Sequence, residues 1–88
     1  MKAEIIDYKA SDANEYEYRV NVVVRYNKKS YAVSVTCYHD FNDNGKPFVK
    51  YINSFSYLSN VERKSKVRDE AIKKAIKGME FKFWYTLI

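Results

Sequence analysis

One histidine and one cysteine occur in the 88 residues, and they stand almost side by side: Cys37, His39, then Asp40. A His–Asp pair can serve as a general base, and a thiol on the same face of a strand is the obvious nucleophile to look for. The surrounding pattern points elsewhere. Cys37 falls on the apolar face of an alternating strand, where a thiol behaves as a small buried hydrophobe. No motif supplies another Ser or Cys nucleophile. Asp40, Asn42, Asn44 and Gly45 follow the opening D-x-[DN]-x-[DN]-G of a calcium loop. That site requires a bidentate Glu at its twelfth position, and Tyr51 stands there. With strands expected on both sides, Asp40 to Pro47 is read as a hairpin loop. Walker loop, zinc spacing and paired carboxylates are all missing. The expectation is a protein that is not an enzyme, with no catalytic residues, no cofactor and no metal.

Residues suited to binding are more plentiful. The formal net charge is +5 and the sequence pI about 9.3, with most of the excess Lys and Arg between Arg63 and Lys82. Arg63, Lys66, Lys73, Lys74 and Lys77 share one side of a helical wheel and are the candidate nucleic-acid-binding residues, because phosphate contacts supply most non-specific affinity. Two features answer that charge locally. Asp69–Lys73 and Glu70–Lys74 are spaced as i,i+4 pairs in the favoured orientation, and lysines late in a helix suit its dipole. On strands, Arg19, Arg25 and Tyr38 face outwards and are candidates for partner binding, by stacking or pairing on an open sheet. Nine tyrosines are many for this length; Tyr18, Tyr26 and Tyr31 are expected half-buried at sheet ends. The tail, Phe81 to Ile88, alternates Phe81, Phe83, Tyr85, Leu87 against Lys82, Trp84, Thr86, Ile88. It reads as a closing strand, and Trp84 and Tyr85 are further partner-binding candidates if it is instead a docking surface or a homodimer seam.

These residues must be positioned by the stretch Glu15 to His39. Tyr16, Tyr18, Val20, Val22, Val24 and Tyr26 occupy even positions, then Tyr31, Val33, Val35, Cys37 and His39 occupy odd ones, which is the period-two pattern of two half-buried strands. With Lys28 and Lys29 at the hairpin tip, Tyr26 faces Tyr31, Val24 faces Val33, Val22 faces Val35 and Val20 faces Cys37. Met1 to Lys9 forms a short strand with Ile5 or Ile6 inward, and Ala10 to Asn14 a polar turn. Phe48 to Tyr57 is another long strand, with Val49, Tyr51, Phe55 and Tyr57 on one face and Phe48 and Ile52 on the other. Ser59 to Glu62 matches a capping box, so a helix is predicted to run from there to Lys77 with Gly78 as its stop. Its apolar stripe is Val61, Ser65, Ile72, Ala75, Ile76 and Met79, and Arg68, among them, is expected to snorkel to the rim. The predicted fold is α+β: a four- to five-stranded, mostly antiparallel sheet packed on one face by a single amphipathic helix, in β-β-β-β-α-β order, with residues 1–88 as one compact domain.

The run Lys64 to Ala75 is similar to the last helix of a double-stranded RNA-binding domain, in which basic residues at the helix start grip phosphates across a groove. That family's first helix and its His-bearing loop have no counterpart here, so the chain is not assigned to it. In size and lack of motifs the chain also resembles small phage inhibitors such as anti-CRISPR proteins, and its Lys, Asn, Tyr and Ile usage fits AT-rich codons. A chain this short buries about two-thirds of its unfolded surface, enough for one core and no deep cleft. The N-terminus carries Lys2, Glu4, Asp7 and Lys9, unlike a signal peptide, and a single cysteine forms no internal disulfide, so a cytoplasmic location with no membrane association is expected. The function expected is that of a small binding protein docking on a protein partner, as an inhibitor of a nucleic-acid-handling complex would. The alternative is direct DNA or RNA binding through the helix lysines and the hairpin arginines.

Overall fold

Valines alternating with polar residues give a sheet with one dry face, and a computed structural model describing residues 2–14, 16–61 and 63–82 has that architecture. Strands β1 (Glu4–Asp12), β2 (Tyr18–Tyr26), β3 (Lys29–Phe41) and β4 (Pro47–Tyr57) form one antiparallel sheet in the order β1-β2-β3-β4, and helix α1 (Lys66–Ile76) follows. Val20, Val22, Val24, Val33, Val35, Cys37, Ala10 and Val49 make the dry face, and Ile72 and Ile76 of α1 join them in one buried cluster. Each fully buried Val or Ile contributes about 1.5–3 kcal/mol relative to leaving it in water, so this face is the main source of stability. Among the described residues no helix covers the opposite face of the sheet.

The β2–β3 hairpin turns on two residues, Asn27 and Lys28, both left-handed (φ 51° and 67°). Two-residue loops with positive φ match the twist of the flanking strands, and this preference overrides the looser tip expected at Lys28 and Lys29. The register therefore shifts by two: Val24 faces Tyr31, Val22 faces Val33, Val20 faces Val35 and Tyr18 faces Cys37. An even shift leaves every side chain on its expected face. Tyr16 lies outside β2, 71% exposed, in a turn where the Asn14 Oδ1 accepts from the amides of Tyr16 and Glu17.

Bulges settle which residues of the outer strands point inward. In β1 the register skips Ile6, so Ile5 and Tyr8 pack against the core and Ile6 is exposed. The strand continues to Asp12 and fully buries Ala10, where a polar turn was expected to begin. In β4 the register skips Lys50 and again Asn53. Val49, Ile52 and Phe55, three apart rather than two, thus share the inner face with Tyr57, while Tyr51 joins Tyr38 outside. Each extra residue reverses the side-chain parity beyond it, which strict alternation cannot anticipate.

The helix starts six residues later than the capping box at Ser59 implies. Ser65 is the cap, its Oγ accepting from the Arg68 amide at 3.2 Å, with Asp69 in the first turn. The chain leaving β4 needs the intervening residues to climb from the sheet to the helical layer, about 10 Å away. At the other end α1 stops as predicted, with Gly78 left-handed (φ 88°). Beyond it, Gly78 to Phe81 runs along the start of β4: the Val49 amide donates to Met79 O, Gly78 to Val49 O and Phe81 to Pro47 O, with one bridge between Phe48 and Glu80. Phe81 is buried, its ring edge-on to Tyr18 at 5.8 Å. The rest of the predicted closing strand, including Trp84 and Tyr85, lies outside the described residues. No helix among the described residues is long and apolar enough to cross a membrane.

Candidate functional site

Charge is distributed unevenly over this frame. Residues 63–77 hold seven Lys and Arg against two Asp and Glu, a net +5 equal to the formal charge of the whole chain; the other residues carry nine of each sign. One of the seven is structural. Arg68, 7% exposed, donates from Nε to the Tyr57 hydroxyl at 2.9 Å and from Nη2 to the Arg63 carbonyl at 2.8 Å. Its guanidinium carbon lies 5.1 Å from the Tyr31 ring centroid and 5.0 Å from that of Tyr57. The Tyr57 hydroxyl donates in turn to Asp69. Arg68 is thus not at the rim, as expected, but clamped between two rings. The hydrogen bond to Tyr57 holds its pKa up, and burial followed by the Asp69 contact raises that of Tyr57.

This clamp has a consequence for the neighbouring lysines. Asp69 is turned towards Tyr57 and Arg68 (3.9 Å) and does not pair with Lys73, and Glu70 does not pair with Lys74; the ion pairs among the described residues are Arg68–Asp69 and Lys50–Asp40. Local neutralisation of the helix, expected from the i,i+4 spacing, does not form. Lys66, Lys74 and Lys77 are exposed, and Lys73 lies half-buried with its Nζ 5.3 Å from the Phe55 ring centroid. Arg63 is exposed in the connection before α1, not on the helix.

Between α1 and the β4 edge runs a groove of about 480 Å³ lined by Tyr51, Ile52, Glu70, Lys73, Lys74 and Lys77. Tyr51 was not singled out from the sequence as a binding residue; the Lys50 bulge places it at 56% exposure on the rim of this groove, in register with Tyr38 (44% exposed). The Lys50 Nζ, held at 3.1 Å by Asp40, stands 5.7 Å from the Tyr51 ring centroid. Arg19 and Arg25 are exposed on the open face of the sheet, opposite α1. The structure therefore separates the hairpin arginines from the helix lysines, with the sheet between them, and Tyr51 is the exposed aromatic common to the open face and the lysine groove.

The remaining chemical candidates are absorbed by the fold. Cys37 is fully buried, and burial pushes its thiol up to about 11. His39 packs edge-on against Tyr18 (4.6 Å) and Phe41 (5.1 Å). In the 42–46 loop, the Asn42 Oδ1 accepts from the amides of Asn44 and Lys46, both at 3.0 Å, and Asp40 accepts from the Phe41 amide and Lys50, which lower its pKa in that order. These groups organise a hairpin, and among the described residues no three His, Cys, Asp or Glu side chains gather to hold a metal. Searches of protein-family models, of curated proteins and of solved structures return no match to this chain.

Proposed function

We propose that the protein is a non-catalytic binding module for a phosphate-bearing partner, namely nucleic acid alone or held by the proteins that handle it, engaged through the basic face of α1. The observation that carries this reading is the net +5 on residues 63–77, whose lysines have no acidic partner among the described residues. A surface of this sign is complementary to phosphates rather than to the basic grooves of nucleic-acid enzymes, and long-range attraction raises association rates as well as affinity. The test is fluorescence anisotropy of labelled single- and double-stranded DNA and RNA across a salt series. Micromolar binding near physiological salt is expected, falling linearly on a log–log plot, with Lys66→Glu, Lys73→Glu and Lys77→Glu together weakening it steeply. Absence of binding even at low salt overturns the reading.

A second reading, a protein partner docked on the open face as a phage-type, anti-CRISPR-like inhibitor would be, is favoured by one observation. Val23, Leu58, Tyr38 and Tyr51 are exposed there among Arg19 and Arg25, and aromatic and arginine side chains anchor protein interfaces. It predicts that Tyr38→Ala and Leu58→Ser abolish inhibition of the target complex while the α1 charge reversals leave it intact.

A further inference from the structure

Resting on the phosphate-binding reading, we infer that the β4 edge is a track for single-stranded nucleic acid, with phosphates against Lys73, Lys74 and Lys77 and a base stacked on Tyr51. The juxtaposition that carries this is one groove containing Lys73 and Lys74 of α1, Lys77 at its C-cap and the exposed tyrosine of the edge strand. Sequence-tolerant single-strand sites combine these two elements, a cationic channel for the backbone and an aromatic ring for a base face. A duplex keeps its bases stacked inside and offers Tyr51 nothing to stack on. The cross-strand neighbour Tyr38, in register with Tyr51 and also exposed, supplies a second ring for the next base as the strand passes onto the open face. The ladder of Gly78 to Phe81 against Pro47 and Val49 covers the start of the β4 edge, so the track lies beyond Val49, beside the lysines.

The groove contains one discordant group. Glu70 lines it with the three lysines and forms no ion pair among the described residues. A carboxylate there opposes a phosphate, so removing its charge is a gain-of-function test that does not depend on damaging the fold.

The experiment measures anisotropy of a fluorescein-labelled oligo(dT) and oligo(U), a duplex of equal length, and polyglutamate of comparable charge. Single strands are expected to bind at least about tenfold tighter than the duplex or polyglutamate. Tyr51→Leu should weaken single-strand binding by about tenfold at unchanged salt slope, Tyr51→Phe should retain it, and Lys73→Gln or Lys77→Gln should each reduce the slope by about 0.7. Glu70→Gln should tighten binding by about two- to fivefold at low salt. Duplex binding as strong as single-strand binding, with Tyr51→Leu and Glu70→Gln both neutral, overturns the track and leaves phosphate binding by α1 standing. Equal binding of polyglutamate overturns it in favour of a generic acidic partner. Loss of all binding removes both readings together.

Discussion

Arg68 is the residue whose role in the fold decides how the basic surface is counted, and a double-mutant cycle with Tyr57 measures that role. Its two hydrogen bonds come from a charged donor, a class whose members contribute about 1.5–3 kcal/mol each, and its guanidinium contacts two rings, each worth about 0.5–2 kcal/mol. Against this stands the desolvation of a guanidinium that is 7% exposed, which cancels a large part of the gross sum. A net loss of about 3 kcal/mol is expected for Arg68→Ala, where both partners and the stem packing vanish. In a domain with total stability of about 5–15 kcal/mol that is severe, and it corresponds to a melting temperature lower by about 12–24 °C. Arg68→Met keeps the stem and isolates the polar head. Combined with Tyr57→Phe in urea denaturation, it should give a coupling energy of about 1–2 kcal/mol. Additivity within about 0.3 kcal/mol, or an Arg68→Met protein as stable as the parent, would refute the reasoning. The guanidinium would then be buried without contributing to the stability of the fold.

Other outcomes follow from separate parts of the molecule. Lys28 sits at φ 67° in the β2–β3 turn, where a side chain costs about 1 kcal/mol, so Lys28→Gly should raise the melting temperature by about 4–8 °C in a thermal scan; a fall would mean the turn is not of this type. Cys37, with its thiol pushed up to about 11 and no exposed surface, should react with Ellman's reagent in native protein only as fast as the chain unfolds, and at once in denaturant. Glu17 is lowered by hydrogen bonds from Asn14 first and Asn53 second. A depressed carboxyl stabilises the fold above the ordinary carboxylate range and loses that contribution as pH falls through it. Glu17→Gln should therefore flatten the acid limb of melting temperature against pH, between about pH 6 and pH 2.

How much of this was legible in the sequence depended on whether a local rule had a rival. Alternating valines had none, so the dry face of β2 and β3 reads directly from Val20, Val22, Val24, Val33 and Val35. Register was not legible, because the same valines pair well two residues apart and only the backbone of Asn27 and Lys28 chooses. The capping box at Ser59 set the helix start six residues early, and Ser65, read as part of the apolar stripe, is the cap instead. The candidate site was readable where exposure alone mattered, as for Lys66, Lys74, Lys77, Arg19 and Arg25. It was not readable where parity or partner choice mattered. Tyr51 reached the surface through a bulge, and the lysines lost their expected acid because Tyr57 claimed Asp69. A tyrosine eleven residues before an arginine carries no periodic signal for such a clamp.

Strand order β1-β2-β3-β4 also separates the building of the sheet from its covering. Every strand pairs with its neighbour in sequence, so the sheet closes through short loops whose entropy cost is small, and hairpins of this kind form in about 1–10 μs. Among the described residues, the α1 segment and Phe81 are what must return across the sheet to reach Val20, Ala10 and Tyr18. During synthesis at about 5–20 residues per second, the last residue of β4 is made roughly one to four seconds before the last residue of α1. Between those two points all four strands have been made but the helix that covers them has not, and residues 1–57 hold eight Lys and Arg against seven Asp and Glu. Closing the core and acquiring the cationic surface are therefore one event, because the segment that covers the valine face is the segment that carries the lysines.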